Sequence, residues 1–239
     1  PEPGFYVLRV KNMRELLKSA DHMLVGGHRG CRCPYPENSL KALQTGLERG
    51  ADYLEIDIQL TKDDVPVVIH DLRLETKTDL NGYVHEYSLR EIRDHISSLC
   101  TFQEAMEWGG MARGWFALEL KTIPYDMSGV NRRLIPLMAE ILKETKMVDR
   151  VFVFGPDYRM LRELKRLLPE IMLGLIVPFV PADPVRLMRE MGAEIYLSYV
   201  WNMDRELAAV LKGAGCYLDG SVIPDQRWMR AARSLGVDM

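Results

Sequence analysis

The sequence predicts an α/β fold in which a parallel sheet curls into a (β/α)8 barrel. Three observations carry that expectation. From residue 23 onward, short β-branched and aromatic runs alternate with amphipathic helical stretches, the signature of successive βα units. A length of 239 residues suits one such barrel. Apolar residues make up 47% and charged residues 27%, so the chain can bury a large core without a disulfide or metal staple.

In chain order, residues 11–22 read as an amphipathic helix ahead of the first strand, which covers 23–27. Asn38 and Ser39 are capping residue types, and a helix runs from them to Arg49. The second strand is Tyr53–Leu60. Asp63-Asp64 signals a tight turn, and 66–69 returns antiparallel. Residues 71–114 form a short insertion within a single domain, 1–239, with helical patches near 88–95 and 101–108. The third barrel strand is Phe116–Leu120. Helices at 130–144, 157–168, 183–191, 204–213 and 225–235 then alternate with strands at 151–154, 171–177, 194–198 and 215–219. With the return arm set aside, these make seven barrel strands. Gly236-Val237-Asp238-Met239 opens an eighth. Closure needs eight, so the expectation is that this strand is cut short here and that the natural chain continues.

Several function classes drop out. The net charge is −3 with no basic stripe, which excludes nucleic acid as a partner. Apolar runs such as 173–177 are too short for a transmembrane segment. The chain starts at Pro1 and shows no signal-peptide pattern; this favours a cytoplasmic location and leaves a periplasmic or secreted one open. Cys31, Cys33, Cys100 and Cys216 are scattered without a disulfide framework. Oligomeric state leaves no mark in the sequence.

The chemistry-bearing residues gather at the C-terminal ends of the expected strands, the face where barrel active sites lie. Glu55 and Asp57 stand at i and i+2 of the second strand, so both carboxylates share one face. Two inward carboxylates repel and are costly to bury, and a divalent cation removes both problems. Oxygen ligands favour Mg2+ or Ca2+, with Mn2+ a third option. A two-residue turn at Asp63-Asp64 would pair Leu60 with Val67 and Asp57 with His70, setting His70 on the carboxylate face. Glu119 and Lys121 repeat the i, i+2 spacing on the third strand. A lysine beside a metal site suggests an anionic substrate. Gly27-His28-Arg29-Gly30 puts a histidine and an arginine at the mouth, between glycines that let the backbone turn. Taken singly, each piece reads as an ordinary strand-end histidine, solvated edge or surface ion pair. Four segments converging on one face favour a site.

These residues resemble a known family. His28-Arg29-Gly30, Pro36-Glu37-Asn38-Ser39, the run from Gly50 to Asp57, Thr61-Lys62-Asp63, His70-Asp71 and Glu119-Leu120-Lys121 are similar, in order, to the motifs of glycerophosphodiester phosphodiesterases. The resemblance implies a TIM (β/α)8 barrel with a small insertion after the His-Asp pair. It implies a Mg2+ or Ca2+ ion held by Glu55, Asp57 and Glu119, and acid–base roles for His28 and His70. It also implies phosphate contacts from Arg29 and Lys121, with Glu37 lining the substrate site. The implied reaction is hydrolysis of a small glycerophosphodiester-like substrate to an alcohol and glycerol 3-phosphate, through a cyclic phosphate where a neighbouring hydroxyl attacks first. Departures lie outside the metal set. The insertion is shorter, Gly155-Pro156 stands for the usual Ser-Phe, and Gly220-Ser221-Val222-Ile223 stands for the usual Trp-Thr-Val-Asn. Those elements shape the alcohol pocket, so the same chemistry on a sugar phosphodiester, lysophospholipid or sphingomyelin-type substrate stays open. A barrel that binds a phosphodiester without turning it over is a third reading.

Overall fold

Parallel strands with near-continuous apolar runs must be covered on both faces, and the computed structural model shows how this chain covers them. It describes residues 10–124, 126 and 129–239; the readings made on Pro1 and the leading residues lie outside these. Among the described residues, seven parallel strands run in the order β1 (Gly26–His28), β2 (Tyr53–Leu60), β4 (Phe116–Leu120), β5 (Val151–Gly155), β6 (Met172–Ile176), β7 (Ile195–Tyr199) and β8 (Tyr217–Ser221), with β3 (Pro66–Val68) antiparallel to β2. Past β8, Asp238 N donates to Leu218 O (2.9 Å) and Leu24 N donates to Asp238 O (2.8 Å). The segment 237–239 therefore bridges β8 to the residues that lead into β1.

Alternation along each strand sorts the side chains. Outward residues such as Leu54, Ile56 and Ile58 of β2 join a large cluster against α2 (Leu40–Glu48), α5 (Val130–Glu144) and α6 (Tyr158–Leu167). Inward residues, including Tyr53, Ala117, Phe152, Phe154, Ile195 and Leu197, fill the barrel. Met13 and Leu17 of α1 (Met13–Ser19) join this inner cluster. Arg14 fastens α1 to Glu194 (Nε–Oε2 2.7 Å) and to Glu170 O (3.0 Å), both at strand starts. The helix therefore caps the N-terminal end of the barrel.

β3 and the segment after it build a separate small cluster from Val67, Ile69, Leu74, Val84, Ile92 and Leu99, under α3 (Leu89–His95). By contrast, Phe102, Ala105 and Met106 of α4 (Phe102–Ala112) pack into the main outer core. Side-chain caps punctuate the helices: Ser39 accepts from Ala42 N, and Ser88 and Thr101 form capping boxes with Glu91 and Glu104.

Two local expectations need correction. The first strand lies at Gly26–His28 rather than 23–27, because Leu24 is bonded to the C-terminal segment. The hairpin register is one residue off: Leu60 pairs with Pro66, not Val67. The turn holds three residues instead of two. Thr61 N donates to Val65 O (3.1 Å), the Thr61 hydroxyl accepts from Val65 N (3.0 Å), and Asp64 takes a left-handed φ of 57°. This is a three-residue hairpin loop closed by a left-handed residue.

Candidate active site

Strand register alone assembles the charged face. In the parallel pairs, His28 lies beside Glu55 and Asp57 beside Glu119, and neighbours in register share a face. His28, Arg29, Glu55, His70, Glu119 and Lys121 all line one cavity of about 630 Å3 at the C-terminal mouth. Asp57 and Glu37 stand behind that wall. Asp57 is fully buried (0% exposed). Glu37 is ion-paired to Arg29 (Nη1–Oε2 3.0 Å) and to Lys77 of the insertion.

His70 reaches the cavity by a different route from the expected one. In the observed register it would oppose Ile56 and face outward. Pairing ends first: Ile69 N gives the last ladder bond, to Asp57 O (2.9 Å), and the buried Gln59 amide then donates to the carbonyls of Ile69, His70 and Asp71 (2.9, 3.1 and 2.9 Å). These bonds turn the chain out of the strand and leave the His70 ring at the mouth. Its Nδ1 meets Asp71 Oδ1 at 2.7 Å, which leaves Nε2 for the cavity.

The loop after β1 is shaped around the carboxylates. Arg29 adopts a left-handed φ of 57°, and its backbone N–H donates to Glu55 Oε2 (2.9 Å). Its guanidinium Nε stands 3.4 Å from Asp57 Oδ2. Asn38, also left-handed (φ 60°), donates from Nδ2 to the same Asp57 oxygen (2.8 Å). The helix cap belongs to Ser39. Asn38 is instead the anchor of Asp57, and its signal in the sequence is the Asn side chain's tolerance of left-handed backbone.

Electrostatically the face is short of positive charge. One oxygen each of Glu55, Asp57 and Glu119 lies within 4.8 Å of the others. Burial, then the neighbouring Asp57 and Glu119 charges, push the Glu55 carboxyl well above the carboxylate range. Burial likewise raises Glu119, with Lys121 opposing and Asp57 adding. Burial disfavours the charge on Lys121, but Glu119 (Nζ–Oε1 2.8 Å) and Asp57 (Nζ–Oδ1 3.4 Å) outweigh it and raise its pKa. Burial, followed by Arg29 and Arg32, lowers His28. Glu55 Oε1 and Asp57 Oδ1 are buried with no hydrogen-bond partner among the described residues. Orphaned carboxylate oxygens that cannot all ionise beside one another fit a hard divalent cation.

Residues 28–238 match the model of the glycerophosphoryl diester phosphodiesterase family. This chain belongs to that family. A glycerophosphodiester phosphodiesterase of Caldanaerobacter subterraneus is 28% identical over 90% of the chain and 91% of its own length. One from Bacillus altitudinis is 25% identical over 88% and 90%. A solved phosphodiesterase of Oleispira antarctica, in complex with the product sn-glycerol-3-phosphate, superposes with a TM-score of 0.81 at 25% identity, covering 90% of each chain. The family member described here is a phosphoric diester hydrolase on a TIM barrel. No helix among its described residues is long and apolar enough to cross a membrane. Opposite the charged face, its cavity has an apolar wall that includes Phe154, Ile176, Leu197 and Val222. At the rim Phe179, Val180, Trp201 and Val222 are exposed, with Tyr199 stacked on Trp201 (4.6 Å, 8°).

Proposed function

We propose that this single barrel domain, with its 71–114 insertion, hydrolyses a glycerophosphodiester-like substrate to an alcohol and glycerol 3-phosphate, using His28 and His70 as the acid–base pair. The observation that carries the reading is the convergence of two histidines, two cationic side chains and the Glu55 and Glu119 carboxylates on one cavity wall, with the Asp57 carboxylate clustered directly behind them. Glu55, Asp57 and Glu119 would hold one Mg2+ or Ca2+ ion. Bound there, the ion supplies Lewis-acid polarisation and charge neutralisation at a phosphodiester oxygen. Arg29 and Lys121 stabilise the negative charge that develops on the phosphoryl oxygens. Asn38 fixes the Asp57 carboxylate, and Glu37 steadies the Arg29 guanidinium. Asp71 orients His70 through Nδ1, so Nε2 is the atom that exchanges a proton with substrate. One histidine takes a proton from the nucleophile and the other protonates the leaving alkoxide. Where the substrate carries a hydroxyl next to the phosphate, that hydroxyl attacks first and water opens the cyclic phosphate.

The test is His28→Ala and His70→Ala, assayed for glycerol 3-phosphate release. Each should lose at least about a hundredfold in kcat with an unchanged circular-dichroism spectrum. Near wild-type turnover in either sinks the assignment. The exposed apolar rim favours a second reading of the substrate, an alcohol that carries a long apolar chain. Comparing kcat/KM for choline release from glycerophosphocholine with that from lysophosphatidylcholine separates the two. An activity insensitive to EDTA on a generic phosphodiester would remove the cation from the reading.

A further inference from the structure

Below the three clustered carboxylates, starting one inward position beneath Glu55 on β2, two polar side chains break the apolar lining. Asp219 of β8 is 7% exposed and Tyr53 of β2 is 6% exposed, and both line the cavity. Their strand positions are inward, among Phe154, Leu197 and Met239. Among the described residues, neither the Asp219 carboxyl nor the Tyr53 hydroxyl makes a side-chain hydrogen bond or ion pair. Both side chains line the cavity, so a ligand that enters it can reach them. The pocket is built around the phenol: a Cβ on Gly26 would stand 2.7 Å from the Tyr53 oxygen and 2.5 Å from its Cζ.

Resting on the phosphodiesterase reading above, we propose that Asp219 and Tyr53 form a hydroxyl-binding subsite that selects a polyol as one alcohol of the substrate. The pair suits a neutral hydroxyl better than a cation. Burial pushes the Asp219 carboxyl up to about 7, so near neutral pH it both donates and accepts. The phenol adds one donor and one acceptor. A substrate hydroxyl entering here displaces solvent and bonds to groups that no side chain among the described residues satisfies. An alcohol lacking that hydroxyl leaves them buried and unpaired, which is how such sites reject the deoxy analogue.

The experiment compares p-nitrophenyl phosphodiesters of glycerol and of propane-1,2-diol, attached at the 1-position. These differ only in the distal hydroxyl and keep the one next to the phosphate. Wild-type enzyme should favour the glycerol diester. Asp219→Leu and Tyr53→Phe should each reduce the ratio of the two kcat/KM values about tenfold, mainly through KM for the glycerol diester. Tyr53→Phe removes a single oxygen, so it decides the question even where Asp219→Leu fails to fold. A ratio within twofold of wild type in folded Tyr53→Phe overturns the subsite, as does a wild-type enzyme that does not discriminate. Hydrolysis of neither diester by wild type would sink the phosphodiesterase reading itself, and the subsite with it. Activity with an unmoved ratio sinks the subsite alone.

Discussion

Gly30 is the position at which the loop after β1 touches helix α2, and replacing it tests how that loop is held. Its φ is +76°, and a Cβ there would lie 2.5 Å from Ala42 C, 2.6 Å from Ala42 O and 2.7 Å from Leu43 N. All three are helix backbone, which cannot swing away as a side-chain tip can. The neighbouring Cys31 N–H also donates to Ala42 O at 2.8 Å, so loop and helix are tied where they meet. In Gly30→Ala the left-handed backbone costs about 1–2 kcal/mol and the overpacking about 1–3 kcal/mol, together about 2–5 kcal/mol. For a chain of this size that lowers Tm by about 4–20 °C. Gly50 supplies the control: its φ is +89° but nothing lies within 4 Å of its Cβ position. Gly50→Ala therefore bears the backbone cost alone, about 1–2 kcal/mol. Thermal melts of the two variants isolate the contact, and a phosphodiesterase assay adds a second readout. Gly30→Ala displaces the loop whose Arg29 N–H meets Glu55, so it should lose turnover while Gly50→Ala keeps it. Two variants that melt within about 2 °C of each other would show that the contact with α2 costs nothing.

Asn38→Ala removes a hydrogen bond to a fully buried carboxylate and should cost about 1.5–3 kcal/mol in a urea melt; a loss under about 0.5 kcal/mol would mean Asp57 is supported elsewhere. Asp219 gives a pH signature. Its folded pKa of about 7 lies above the unfolded value of about 3.9. The stability it contributes is fully present below about pH 4 and is lost as pH rises through about 7, about 4 kcal/mol in all. The Tm of Asp219→Asn should therefore exceed wild type at pH 8 and lose that advantage by pH 4; a difference flat with pH contradicts the assignment. Adding Mg2+ or Ca2+ at a hundred times its Kd should stabilise the protein by about 2.7 kcal/mol. That corresponds to a Tm rise of about 5–11 °C, abolished in Glu55→Gln and Glu119→Gln. No shift with either ion removes the cation site.

Local patterning makes most of the architecture legible. Tyr53–Leu60, Phe116–Leu120 and Val130–Glu144 match the bounds read from the sequence, because inward and outward alternation and helical periodicity agree there. The i, i+2 pairs on β2 and β4 face inward for the same reason. What stays hidden depends on side chains bonding to backbone. Thr61 and Asp64 set a three-residue turn where two acidic residues suggest two. Gln59 steers His70 to the mouth through contacts no periodicity encodes. Asn38 reads as a cap until its left-handed φ aims the amide at Asp57. Asp219 is silent in the sequence because it lies in the stretch where the family motif breaks down, and an isolated carboxylate in a strand gives no spacing to recognise.

The helix that caps the N-terminal end of the barrel has a consequence for traffic. With Met13 and Leu17 seated against the inner column and Arg14 latched to Glu194, the described residues close the interior at its N-terminal end and leave the C-terminal mouth as its doorway. Substrate and both products must share that doorway in turn. An alcohol held deep by Asp219 and Tyr53 would be last in the queue, leaving only after whatever sits nearer the rim has gone.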